Sequence, residues 1–146
     1  IAIRINFPDL DNLLLLGRYS KILSAQLVLQ PVASSYSVAR PLPPAIALCE
    51  VSDYYTVQDS LINAGGVTQY GSLFTDYAYN NSYYTYDITS YLTSELLQTN
   101  NNTRTQLLLI PPAPAYNTTL QRLIINNAAN KYQSIQVKIQ LLLYNE

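Results

Sequence analysis

Ile135-Gln136-Val137-Lys138-Ile139-Gln140-Leu141-Leu142-Leu143 sets Ile135, Val137, Ile139, Leu141 and Leu143 on one side of an extended chain and Gln136, Lys138 and Gln140 on the other. Successive side chains of a β-strand point to opposite faces, so this stretch reads as a long strand with one buried face. Its regularity suggests a place near the centre of a sheet. The other end of the chain has the same period, with Ile1, Ile3, Ile5 and Phe7 alternating with Ala2, Arg4 and Asn6. A third alternating stretch sets Leu23, Ala25, Leu27 and Leu29 against Ser24, Gln26, Val28 and Gln30. Pro31 ends it, because proline has no N–H to give to the ladder.

Working outward, Val32 to Arg40 is small and polar, and Pro41-Leu42-Pro43-Pro44 forces an extended approach into a strand over Ala45 to Val51. Ser52 to Gly71 loses the alternation and contains Gly65-Gly66, so it reads as a long, solvent-facing loop. Two strands follow, Gly71 to Thr75 and Ser82 to Asp87, joined around Asn80-Asn81, a residue type that tolerates left-handed turn geometry. Asp87 can accept hydrogen bonds from the free amides of a following helix, Ile88 to Gln98, which puts Ile88, Tyr91, Leu92 and Leu96 on one face. A second short helix is expected over Asp9 to Leu16, with acidic residues in its first turn and Gly17 as its stop. Gln106 to Ile110, closed by Pro111-Pro112, reads as a fully buried strand, and Leu120 to Ile125 as the next. About eight strands without a strand-helix rhythm predict an all-β fold: an antiparallel two-sheet β-sandwich of jelly-roll type with two short helices in its connections.

A chain of 146 residues suits one domain, so residues 1–146 are expected to share one core. It contains no methionine and opens inside a strand pattern, which suggests a fragment of a longer chain. No apolar run approaches the roughly 20 residues that cross a bilayer as a helix. Charged residues make up 12%, about half the usual share, and the net charge is −1. Arg4, Arg18, Lys21, Arg40, Arg104, Arg122, Lys131 and Lys138 never form a run, so no footprint for nucleic acid is expected.

The chain has no histidine, which removes the commonest general base and the commonest protein metal ligand. No metal site and no cofactor are expected, and the four glycines form no phosphate-binding loop. Cys49 is the only cysteine and lies in the apolar run Ala47-Leu48-Cys49-Glu50-Val51, which favours core packing over a reactive thiolate. Carboxylates able to run glycoside hydrolysis are Asp9 with Asp11, Glu50 with Asp53, Asp76 with Asp87, and Glu95. Helix starts, a cap and an exposed helical position account for most of them, so the expectation is no catalytic residue and no enzyme.

Tyrosines cluster instead. Tyr77, Tyr79, Tyr83, Tyr84, Tyr86 and Tyr91 fall within fifteen residues, and the hairpin positions Tyr77, Tyr79, Tyr83, Tyr84 and Tyr86 are the candidate ligand-binding residues. A tyrosine ring offers a flat apolar face and a hydroxyl, suited to stacking on a sugar or anchoring a protein partner. Cross-strand aromatic packing is the competing reading. Asp59-Ser60-Leu61 resembles a periplasmic O-glycosylation acceptor of Bacteroidetes, which makes Ser60 a candidate modification site.

Several stretches together carry a family likeness: Ile5-Asn6-Phe7-Pro8-Asp9-Leu10, Ala25-Gln26-Leu27-Val28-Leu29-Gln30-Pro31-Val32, Pro41-Leu42-Pro43-Pro44, Tyr84-Thr85-Tyr86-Asp87-Ile88-Thr89-Ser90-Tyr91-Leu92, Leu107-Leu108-Leu109-Ile110-Pro111-Pro112 and Arg122-Leu123-Ile124-Ile125. With the final strand, they make the chain similar to the C-terminal part of Bacteroidetes exported lipoproteins grouped as domain of unknown function 4270. The element order also resembles jelly-roll domains related to disaggregatase repeats on microbial surface proteins. The resemblance implies an outer-membrane or cell-surface location, anchoring through an upstream lipidated region, and a non-catalytic role in protein–protein interaction or structural assembly with another envelope protein. A carbohydrate-binding module using the tyrosine-rich hairpin is the alternative, and a glycoside hydrolase the third reading. The family supplies no catalytic residues, and Asp87 is expected to act as a helix cap. If Ser60 is glycosylated, the intact mass of the protein from its native source exceeds that of the bare polypeptide; equality would remove the site.

Overall fold

Among the described residues, the alternating segments pair into two four-stranded antiparallel sheets. The structure, a computed structural model, describes residues 2–7, 20–52, 56–63, 65–97, 106–112, 121–126 and 135–143. Sheet I has the order β1 (Ile3–Ile5), β7 (Gln106–Ile110), β3 (Ala47–Val51), β4 (Val57–Ser60). Sheet II has the order β5 (Ser72–Phe74), β6 (Tyr83–Asp87), β2 (Ser20–Leu29), β8 (Ile135–Leu143). Among the described residues, one 3-10 turn, Ala33–Ser35, and one helix, α1 (Thr89–Leu97), lie in the connections. The pairings are nested: β1 meets β7 in sheet I while β2 meets β6 in sheet II, so an antiparallel ribbon passes from one sheet to the other. This is the two-sheet, jelly-roll-like sandwich that the alternation predicts. The expected helix over Asp9 to Leu16 lies outside the described residues.

The inner faces meet in one apolar cluster. Sheet II contributes Ala25, Leu27, Leu29, Tyr84 and Tyr86, sheet I contributes Ile5, Leu48, Leu107 and Leu109, and α1 adds Tyr91 and Leu92. Leu27, Leu29, Leu48 and Leu107 are fully buried, and each such side chain stabilises the fold by about 1.5–3 kcal/mol relative to exposure. Phe7 extends β1's inward pattern, its ring 6.1 Å from that of Tyr91.

Several expectations change. Leu23 does not continue the inward face of β2 and is 47% exposed. Ile22 opposes Leu141 and Ser24 opposes Gln140, so Leu23 is the extra residue of a β-bulge. That one-residue insertion lets Ile22, on one side, and Ala25, Leu27 and Leu29, on the other, all face the core. β8 is an edge strand among the described residues, not a central one, and its inward side chains are only partly buried. Alternation reports which face is covered; it carries no information about lateral neighbours. β7 is buried on one face only, through Leu107 and Leu109. Residues 121–126 form no strand but a single bridge between Pro31 and Ile125, with Val32 N donating to Ile124 O at 2.9 Å.

The expected loop over Ser52 to Gly71 contains β4, and much of the remainder zips along β3. Leu61 N donates to Leu48 O at 2.7 Å, Gln69 N to Leu61 O at 2.8 Å and Ile46 N to Tyr70 O at 2.9 Å. Its turn is tied by Asn63, whose Oδ1 accepts from Gly65 N at 2.9 Å and Val67 N at 3.1 Å. The pattern was weak because Val57, Asp59 and Ser60 are all exposed, leaving no single apolar face.

Tyrosine hydroxyls tie sheet II and its lead-in to the segments that precede β3. Tyr86 Oη donates to Ile46 O at 3.0 Å, Tyr84 Oη to Pro43 O at 2.6 Å, and Ser82 N donates to Tyr36 Oη at 3.1 Å. The Tyr86 ring lies against Gly71, where an added Cβ would come within 2.6 Å of Cζ. Gly71 has φ 73° and Gly66 φ 75°, but nothing lies within 4 Å of the Cβ position of Gly66. Gly66→Ala is therefore expected to cost about 1–2 kcal/mol from backbone strain alone, and Gly71→Ala about 2 kcal/mol or more beyond that, from overlap with Tyr86. Urea denaturation of both variants checks this; equal costs would mean that Tyr86 does not cover Gly71.

Candidate functional site

β6 divides its tyrosines by parity. Tyr84 and Tyr86 point inward and are 0% and 1% exposed, with their hydroxyls on backbone carbonyls. Burial pushes the ionisation of both phenols well above its ordinary value of 10.0, with Tyr84 raised further by Tyr86 and Tyr77. They hold the sandwich together and offer nothing to a ligand, which corrects the expectation for these two positions. Tyr77 is partly buried against the core, its ring 6.0 Å from Tyr36. Tyr79 is 86% exposed in the β5–β6 connection. There Asp76 Oδ1 accepts from Tyr79 N at 3.0 Å, and Asn80 takes the left-handed turn at φ 53°. Only Tyr83 among the five lies on the outer face of sheet II.

That outer face is organised in rows across the strands. Phe74 opposes Tyr83, and the two rings stack with centroids 5.0 Å apart and 26° between planes. The next row is Ser72, Thr85, Val28 and Gln136, each opposite its neighbour in register. The third contains Asp87, Gln26 and Lys138. Four residue steps along the strand lead from Tyr83 to Asp87, about 13 Å at roughly 3.3 Å each. Between the rows lies an open trough of about 570 Å³, within the roughly 300–1,000 Å³ range of small-ligand sites. Gln30 reaches along one side, its Nε2 donating to Asn81 Oδ1 at 3.0 Å. Among the described residues, Lys138 is the only charged side chain lining the trough, and no carboxylate lines it.

Sequence reasoning found Tyr83 but missed Phe74, Gln26, Gln30 and Lys138. Alternation had placed Gln26, Gln30 and Lys138 on polar faces. What joins those faces is the pairing of β2 with β6 on one side and β8 on the other, a non-local fact that no local pattern encodes.

Asp87 is architectural. Its Oδ1 accepts from Thr89 N at 3.0 Å and from Thr89 Oγ1 at 2.6 Å, while Ala25 N donates to Thr89 Oγ1 at 2.9 Å. The first helical bond runs from Leu92 N to Ile88 O, so α1 starts one residue later than expected and Asp87 caps it from across Ile88. Ile88 is fully buried, so the core holds the residue at the helix boundary and the polar cap sits one position outside. The side-chain amide of Gln69 completes the junction, accepting from Asp87 N at 2.8 Å and donating to Asp87 O as a neighbouring strand would.

The remaining candidates are elsewhere. Ser60 is exposed at the end of β4 rather than in a loop, and its Oγ lies 3.7 Å from Sγ of buried Cys49. Asp9, Asp11 and Asp53 lie outside the described residues. Glu50, on β3, has Glu95 and Asp59 as its charged neighbours, and Glu95, on α1, is 2% exposed. No group of three metal-ligating side chains comes together among the described residues. No protein-family model, curated protein or solved structure matches the chain.

Desolvation, then the charges of Glu95 and Asp59, raise the Glu50 carboxyl above its ordinary 4.5. A folded state that binds the proton more tightly than the unfolded chain gains stability as pH falls through the raised value and loses it as pH rises. Glu50→Gln is therefore expected to melt higher than the parent at pH 7, with the difference shrinking as pH falls through the raised value toward 4.5 and changing no further below it. Thermal melts across that range check it; a variant less stable at pH 7, or a gap widening in acid, contradicts it.

Proposed function

We propose that the chain is a non-catalytic binding domain of an exported envelope or cell-surface protein, and that it engages its partner through the outer face of sheet II. The observation that carries this reading is the Phe74–Tyr83 stack, with Phe74 48% exposed on a strand at the sheet edge among the described residues. A sandwich gains most from burying its aromatics, as Tyr84 and Tyr86 do on the inner face of the same strand. Leaving a paired aromatic platform in solvent beside amide side chains is the arrangement of a contact surface. The near-neutral charge and the Asn-, Gln- and Tyr-rich composition support a surface role, and the family resemblance supports export and membrane anchoring through an upstream region. No helix among the described residues is long and apolar enough to cross a membrane. The carboxylates that neighbour one another, Glu50, Glu95 and Asp59, do not line the trough, which favours binding over hydrolysis.

Hydroxyl-radical footprinting tests the reading without a known partner. Phe74 and Tyr83 are expected to be at least several-fold less reactive in the protein on intact cells of its native source than in the purified protein, while Tyr79 changes little. Equal reactivity of Phe74 and Tyr83 in both settings would overturn it.

A further inference from the structure

We infer that the ligand of the sheet II trough is a neutral oligosaccharide, a step that rests on the binding role proposed for that face. The expected sugar-binding tyrosines were those of the hairpin, yet its most exposed member, Tyr79, stands apart from the trough, and Tyr84 and Tyr86 are sealed in the core. The site is instead built across the strands, joining Phe74 and Tyr83 of the hairpin to Gln26 on β2, Gln30 just beyond it, and Gln136 and Lys138 on β8.

Three features select the ligand chemistry. At one end, Phe74 and Tyr83 form a rigid apolar wall, the partner that the C–H face of a pyranose ring requires. Along the trough, Gln26, Gln30, Asn81 and Gln136 present amides, each carrying both donors and an acceptor, which matches hydroxyl groups that donate and accept at once. The Gln30–Asn81 hydrogen bond fixes two of these amides before a ligand arrives, so less ordering entropy is lost on binding. Between the ends, Val28 and Thr85 form a low floor, Val28 being only 9% exposed although it points to the outer face, which leaves room for further sugar units beyond the stacked one.

Charge excludes the main rivals. A polyanion such as nucleic acid or a sulfated glycan is recognised by several cations, and among the described residues Lys138 is the one cation lining the trough. A purely apolar ligand would leave the trough amides desolvated and unpaired. Lys138 at the far end can donate to ring or hydroxyl oxygens without demanding a negative charge.

Affinity gel electrophoresis against soluble xyloglucan, galactomannan, mixed-linkage β-glucan, α-mannan and dextran, with heparin and polygalacturonate as charged arms, tests the inference alongside a glycan array. At least one neutral glycan is expected to bind. Phe74→Ala and Tyr83→Ala should each weaken that binding at least tenfold, Gln26→Ala several-fold, and Tyr79→Ala not at all, with unchanged melting temperatures showing that the outward-facing substitutions leave the fold intact. Binding of polyanions only, neutral-glycan binding indifferent to Phe74 and Tyr83, or no glycan binding on gel or array would overturn it. If no glycan bound while Phe74 and Tyr83 were protected on cells, the face would bind a protein instead; without that protection, both readings fall.

Discussion

The phenol hydroxyls of Tyr84 and Tyr86 cross from one layer of the sandwich to backbone carbonyls entering the other, and much of the molecule is arranged around them. A buried hydroxyl without a partner costs about 1–3 kcal/mol, so each is placed where a carbonyl waits. Those carbonyls, of Pro43 and Ile46, belong to the proline-stiffened approach to β3. The bonds therefore set both the separation of the sheets and the register of the segment that delivers β3 to sheet I. Gly71 is part of the same constraint, since only a residue without Cβ lets the Tyr86 ring lie on the backbone at the start of β5. Tyr36 adds a third tie by accepting from Ser82 N just before β6 begins.

Once β6 is locked in that register, parity decides its other face. Tyr83 and Thr85 have no choice but to point outward, because a one-residue slip would carry the core tyrosines into water. β2 then lies between β6 and β8, placing Gln26, Val28 and Gln30 beside Thr85 and Tyr83 on one flank and Gln136 and Lys138 on the other. The bulge at Leu23 keeps β2 in step with the core on both sides of the irregularity and brings Ala25 N to the Thr89 hydroxyl. The Asp87–Thr89 junction thus anchors α1 to the strand that floors the trough. The face through which binding is proposed is a consequence of how the core was closed.

Much of this was legible from single residues in order. Alternation in Ile3 to Phe7, Ala25 to Leu29 and Ile135 to Leu141 is a local property, and so were the two-layer all-β class and the turn at Asn80. The capping role of Asp87 was legible to within one position. What escaped was lateral or non-local. Whether β8 is central or an edge, whether Tyr83 or Tyr84 is the outward member of its pair, and which polar faces adjoin all depend on pairings between residues far apart in the chain. β4 escaped because both of its faces are exposed and its residues carry no contrast. Phe74 escaped because one aromatic in a three-residue strand looks like core until its partner across the sheet is known.

The division of the tyrosines on β6 is the claim on which both the packing and the binding face stand. Mild iodination of the native protein, read residue by residue with tandem mass spectrometry, measures it directly, since the reaction needs an accessible and ionisable phenol. Tyr79 and Tyr83 should be labelled, while Tyr84 and Tyr86, sealed and with their ionisation raised, should stay unlabelled until denaturant is added. Labelling of Tyr84 or Tyr86 in the folded protein at the rate of Tyr83 would contradict the register, and with it the proposed binding face.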